Sequence, residues 1–244
     1  MASFDVTVSR AFVSLALLGY AAYSDFKTRE VDDLVWIILC ATSTPFVLLQ
    51  LVELERRALL AYVLSAYLAF LLGFTLSAFK LWGWADFLAL ACIGLTTPPS
   101  AEGGYLSLLP SISTLVNSLL ISCTYPLFLL TENLYLIARG ERVFEGVEAS
   151  LPVKVIAFFT LRNVPAQVYL RRRNFYSLAE RFEGGKRYIT LRIGVEEEGE
   201  TKPLPNRVWV SPYMPFVTLL AIGYAIHLTA GCLLDRLLLA PLAY

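Results

Sequence analysis

The sequence predicts an α-helical polytopic membrane protein, with six transmembrane helices and a small mixed α/β soluble domain between helices five and six. Three observations predict it. Of the 244 residues 57% are hydrophobic and only 16% charged, with a mean hydropathy of +0.62, whereas a soluble domain carries about a quarter charged residues. The apolar residues gather into runs of about twenty, the length that a rise of about 1.5 Å per residue needs to cross ~30 Å of hydrocarbon. The cations are segregated as well, thirteen of the twenty Lys and Arg residues lying between Arg139 and Arg207.

Span one runs from about Val6 to Phe26. Arg10 followed by AFVSLALLGYAA imitates a signal peptide. Lys27 and Arg29 follow the apolar run directly, however, and positive charge there stays in the cytoplasm, so a retained helix is expected. The charged hairpin KTREVDD leads to span two, Leu34 to Val52, and ELERR precedes span three, Ala58 to Phe79. The next apolar piece, Asp86 to Thr97, reaches only ~18 Å at helical rise, and Pro98 and Pro99 end it. The segment AEGGYLSLLP either completes that crossing or lies at the far interface. Spans five, Ile112 to Ile137, and six, Pro215 to Leu239, follow.

Between them KRYITLRI alternates and reads as a strand. PAQVYL reads as a second strand, LPVKVIAFFTL as a short helix against the membrane, and GVEEEGETKPLP as a loop. The triple Arg171, Arg172 and Arg173 reads as a solvated face rather than a lipid contact. The expected division is residues 1–138 for five spans, 139–207 for the soluble domain and 208–244 for the sixth span.

Charge fixes the expected orientation. If the short segment crosses, Lys27, Arg29, Lys80 and the thirteen cations of the large loop share one side, leaving Arg10, Arg56, Arg57 and Arg236 on the other. Sixteen against four places the large loop in the cytoplasm and both termini outside. If the segment does not cross, Arg139, Arg142 and Arg207 are stranded outside beside span ends. Six spans are favoured.

The formal net charge of zero offers no field for nucleic acid. Cys40, Cys92, Cys123 and Cys232 stand singly, without C-x-x-C or metal-ligand spacing, and read as small buried hydrophobes. No metal and no cofactor is expected.

The chemistry centres on LWGWADFLALACIGL, where Gly83 lets the backbone break direction and Asp86 stands at the edge of apolar sequence. A carboxylate beside hydrocarbon is costly and calls for a partner, although Asp86 alone reads equally well as a helix cap. Asp25, ending span one on the same side, is the candidate partner. Two adjacent carboxylates cannot both ionise cheaply and so share a proton. Such a pair suits peptide hydrolysis, one taking a proton from water while the other polarises the scissile carbonyl. Asp32 and Asp33 are rival carboxylates in the hairpin beyond the span. His227 reads as a bond to a neighbouring helix, and Asp235 with Arg236 as an interfacial pair.

SDFKTREVDDLVWIIL after span one, with G-W-A-D before a short apolar helix, resembles the archaeal preflagellin and type IV prepilin peptidases, membrane aspartyl proteases of the G-x-G-D class. The resemblance covers nearly the whole chain, including VWVSPYMPF before the last span. It implies that Asp25 and Asp86 are the catalytic aspartates, and that flagellin-like or pilin-like precursors are cut where a short basic leader meets a hydrophobic helix. Glu30, Asp32 and Asp33 are then candidate contacts for the leader, or simply a solvated hairpin. Ala85 replaces the second glycine of the motif. Bacterial relatives with paired C-x-x-C motifs also N-methylate their product; this chain has no such pairs, which implies protease activity without methylation. Three rival readings are another G-x-G-D intramembrane protease, a small proton-coupled transporter and a structural assembly factor, the last fitting paired membrane aspartates poorly. The physiological precursor and the oligomeric state stay open.

Overall fold

A computed structural model describes residues 2–99, 104–191 and 204–239. Most of GVEEEGETKPLP, the end of KRYITLRI and the start of AEGGYLSLLP lie outside the described residues. In chain order the helices are α1 (Ala2–Thr28), α2 (Leu34–Glu53), α3 (Arg56–Ala78), α4 (Trp84–Thr96), α5 (Pro110–Ser122), α6 (Thr124–Ala138), α7 (Leu151–Thr160), α8 (Ala166–Arg171), α9 (Phe216–Ala230) and α10 (Leu233–Leu239). The strands are β1 (Val147–Glu148), β2 (Arg162–Pro165), β3 (Tyr176–Leu178), β4 (Glu180–Glu183), β5 (Lys186–Ile189) and β6 (Arg207–Pro212). They form two compact units, Met1–Ser122 with Pro215–Tyr244, and Cys123–Met214.

Four helical stretches are long and apolar enough to cross a membrane: Asp5–Thr28, Leu34–Glu53, Arg56–Ala78 and Pro110–Ala138. The chain is a multi-pass membrane protein. At 13 and 15 residues, α4 and α9 fall short of that length. The predicted continuous helix from Pro215 to Leu239 is in fact two. Gly231, at φ 70°, ends α9 in a conformation that favours glycine, and Ser107 Oγ lies 2.8 Å from where a Cβ would stand. Apolar residues on both sides of Gly231 hid this stop.

In the first unit α4 is the centre, packed against α2, α3, α5 and α9. It is apolar nearly all round, and Phe87, Leu90, Cys92, Ile93 and Gly94 are all buried, as expected of a helix enclosed by others. Small residues allow the close approaches. A Cβ on Gly94 would stand 3.0 Å from Ala69 Cβ on α3, and one on Gly223 of α9 would stand 2.6 Å from the carbonyl oxygen of Thr114 on α5. On α1 the buried residues Arg10, Ser14, Leu18, Ala21 and Asp25 recur at intervals of three or four and form one stripe. Arg10, 2% exposed, ties this stripe to three helices: it donates to Gln50 Oε1 (3.1 Å), to the carbonyl oxygen of Thr96 (2.9 Å) and to the Tyr224 hydroxyl (3.3 Å). Cys40 and Cys92, far apart in sequence, meet with their Sγ atoms 3.4 Å apart.

The second unit is the small mixed α/β domain, built on α6. One sheet has the order β1-β5-β4 and the other β2-β6-β3. Gly184 and Gly185, at φ 56° and 78°, make the two-residue turn joining β4 to β5. Alternation along β6 serves two cores. Val208 and Val210 join Val164 and Tyr176, while Trp209 joins Val143, Val147, Ala157 and Leu161. Trp209 Nε1 donates to the carbonyl oxygen of Val143 (2.9 Å). The buried Glu180 takes two bonds from Arg187 (2.8 and 2.7 Å) and one from the Trp209 amide (2.7 Å). KRYI is the strand β5, and LPVKVIAFFT is the helix α7, as expected. PAQVYL is not a strand: Pro165 ends β2 and caps α8. The Ala, Gln, Leu and Arg of α8 are strong helix formers, and they outweigh the β-preference of Val168 and Tyr169.

Candidate active site

Asp25 sits on the last turn of α1, at the end of the buried stripe, and is itself buried. Its Oδ2 accepts a hydrogen bond from the backbone N–H of Thr218, on the first turn of α9, at 3.1 Å. The Thr218 hydroxyl has one proton to give, either to that oxygen (3.2 Å) or to the carbonyl oxygen of Ala22 (2.9 Å). Free N–H groups at a helix start are suited to an acidic group. Asp25 thus fastens α1 to α9. Arg29, one turn on, holds its guanidinium 3.9 Å from Asp25 Oδ1.

Asp86 is the third residue of α4, and its Oδ2 accepts from the backbone N–H of Gly83 at 3.0 Å. This is half of a capping box; the other half needs a side chain that glycine lacks. The break before α4 does not come from Gly83, whose φ of −70° and ψ of 155° suit any residue. It comes from Lys80, at φ 57° after the end of α3. Gly83 matters by proximity instead, since a Cβ there would stand 3.2 Å from Asp86 Oδ2 and the carboxylate would have to give by a few tenths of an ångström. Ala85 lies inside the helix, where a second glycine would have no conformational task.

The turn between α3 and α4 meets the start of α9 through Trp82 and Phe216, whose ring centroids are 4.7 Å apart. Both carboxylates lie within reach of the Val217 N–H, and each is within electrostatic range of the other. Asp25 and Asp86, distant in sequence, therefore converge on one helix start.

The other sequence candidates lie elsewhere. Glu30, Asp32 and Asp33 are exposed in the turn between α1 and α2. Asp32 Oδ1 accepts from the Leu34 amide at 2.9 Å and so opens α2, and no described hydrogen bond links the three to Asp25 or Asp86. His227 does bond a neighbouring helix, Nδ1 to Ser113 Oγ on α5 at 2.8 Å. Asp235 and Arg236 do not pair. Asp235 accepts from the amides of Leu106 (3.2 Å) and Ser107 (2.8 Å), while Arg236 donates to the carbonyl oxygen of Ala230. Free amides of the 104–109 turn held the buried Asp235 more closely than an exposed arginine could. The sequence reading missed Val217 and Thr218; a threonine just inside a helix opened by Pro215 was the available signal. Among the described residues no three His, Cys, Asp or Glu side chains gather as a metal-holding group.

Comparison with known proteins adds the decisive observation. The model of the type IV leader peptidase family matches residues 12–130, a stretch that contains both aspartates. Through that stretch the chain is similar to the type IV leader peptidase family. No curated protein matches the chain. The match supports a leader peptidase-like protease that acts on precursor proteins, and it spans most of α1, all of α2 to α5 and the first half of α6.

Proposed function

We propose that the protein is an aspartic endopeptidase that removes the short basic leader from archaeal flagellin-like or type IV pilin-like precursors, with Asp25 and Asp86 as its catalytic pair. The observation that carries this reading is the convergence of the two carboxylates on the first turn of α9. One carboxylate, ionised, takes a proton from water as the water oxygen attacks the scissile carbonyl; the other, protonated, donates to the carbonyl oxygen. The tetrahedral intermediate then collapses, the C–N bond breaks, and the amine leaves with a proton returned by the pair.

In the topology proposed here six segments cross, with α4 as the fourth and α9–α10 as the last. The aspartates and residues 139–207 face the cytoplasm, and both termini lie outside. The precursor's hydrophobic helix rests in lipid while its basic leader stays in the cytoplasm, near the exposed Glu30, Asp32 and Asp33. The scissile bond then reaches the carboxylates at interface depth. Methyl transfer is not part of the activity, and chelators leave cleavage intact.

The test is to express the protein with a flagellin precursor and to change Asp25→Asn and Asp86→Asn separately. The parent cleaves; neither variant does, at unchanged protein level. Cleavage surviving either change refutes the pair. Proton-dependent solute flux without cleavage would favour a transporter.

A further inference from the structure

The second unit contains a cleft of about 520 Å³ lined by Arg162, Arg171, Arg172 and Arg207, with Glu132 as its one acidic residue. Two of the arginines are fixed. Arg162 donates through Nε to Glu132 Oε1 (2.9 Å) and through Nη1 to the Tyr176 hydroxyl (2.8 Å). Arg207 donates to the side-chain oxygen (2.6 Å) and the backbone oxygen (2.8 Å) of Asn163. The other two, Arg171 and Arg172, are exposed at the end of α8, and among the described residues no ion pair engages either. Glu132 pairs with Arg162 and Glu141 lies 3.9 Å from Arg207, so the four guanidinium groups outnumber the carboxylates near them by two. Arginine's planar fork matches phosphate oxygens two at a time.

Two further features narrow the ligand. Glu132 Oε2 is buried and finds no hydrogen-bond donor among the described residues, so a ligand carrying a hydroxyl would satisfy it. Glu132 and Leu136 belong to α6, the C-terminal half of the membrane-length run Pro110–Ala138. That places the cleft near the end of an apolar run, the depth of lipid headgroups. In the same unit α7 exposes Leu151, Val155 and Ile156, and α8 exposes Val168 and Leu170, an apolar surface fit for an interface.

We infer that this cleft binds a polyol phosphate ester, its phosphate held by the arginines and a hydroxyl donating to Glu132. The chemistry is shared by glycerophosphate lipid headgroups and by soluble sugar or glycerol phosphates. It assigns Arg171 and Arg172 a ligand where the sequence favoured a solvated face over a lipid contact.

The experiment uses the full chain in non-ionic detergent, titrated with dihexanoyl phosphatidylglycerol, dihexanoyl phosphatidylcholine, glycerol phosphate and inorganic phosphate. Phosphatidylglycerol binds at least ten times more tightly than phosphatidylcholine, and the double change Arg171→Gln with Arg172→Gln weakens it at least tenfold. Arg142→Gln, whose side chain is 82% exposed and outside the cleft, leaves binding unchanged. Glycerol phosphate matching the lipid identifies a soluble ligand, and a much weaker glycerol phosphate identifies a headgroup. Equal binding of the two lipids, or binding unaffected by the double change, overturns the inference.

Discussion

Gly83 and Ala85 divide the work of a glycine motif in a way only coordinates reveal. Gly83 has an ordinary backbone conformation, and its hydrogen atom matters because Asp86 Oδ2 lies 3.2 Å from where a Cβ would be. The change Gly83→Ala should therefore push the carboxylate by a few tenths of an ångström without unfolding α4. Misplacing a reacting group on that scale costs rate, so precursor cleavage should fall about tenfold while folded yield and melting temperature hold. Ala85→Gly restores the second glycine at a helical position. It should cost the helix roughly 0.5–1 kcal/mol and change cleavage less than about twofold. Cleavage and thermal melting on both variants check the pair of expectations. The reverse ranking would mean that backbone freedom, not proximity, governs the motif. The sequence shows that Gly83 precedes Asp86. It cannot show which of two physical reasons keeps a glycine there, because each leaves the same letter.

Helix approach distances govern the element scale. Gly223 brings α9 against α5 so closely that an added methyl would stand 2.6 Å from the Thr114 carbonyl oxygen and 2.9 Å from the Ser118 amide nitrogen. Both are backbone atoms within a helix and cannot step aside. Gly223→Ala should thus destabilise the first unit by about 1–3 kcal/mol, the usual cost of overpacking. Gly19→Ala, on α1 with nothing within 4 Å of the added Cβ, should be neutral or slightly stabilising. Thermal denaturation in detergent separates the two, and equal effects would mean that α5 and α9 do not pack this way. Long apolar runs made α2 and α3 readable from sequence to within two residues at each end, and α1 to within four. The same property concealed the shape of the last segment, where CLLDRLLL continues the apolar pattern across the stop at Gly231. The short α4 was visible as too short to cross unaided, but its central position was not. Burial on every side follows from which helices surround it, and that is tertiary information.

At the scale of the whole molecule the open expectation is sidedness, which rests on charge rather than on contacts. Thirteen of the twenty Lys and Arg residues lie in residues 139–207, with Arg139, Arg142 and Arg207 close to the ends of the flanking apolar segments. Cations beside span ends resist transfer across the membrane, so this unit should stay in the cytoplasm. Asp25 and Asp86 would face the same side, where a precursor's leader waits before export. The reporter for this is Glu183→Cys, half-exposed on β4 beside the Gly184–Gly185 turn, in a background carrying Cys123→Ala, since Cys123 is the exposed native thiol. A membrane-impermeant maleimide applied to intact cells should leave Cys-substituted position 183 unlabelled, and permeabilised cells should label it fully. Labelling in intact cells would put the second unit outside. The leader of a precursor could not then meet the aspartates from the cytoplasm, and the proposed direction of substrate entry would fail even if the carboxylate pair were catalytic. The two experiments are independent in this sense: replacing the aspartates tests the chemistry, and labelling position 183 tests from which side the substrate reaches it.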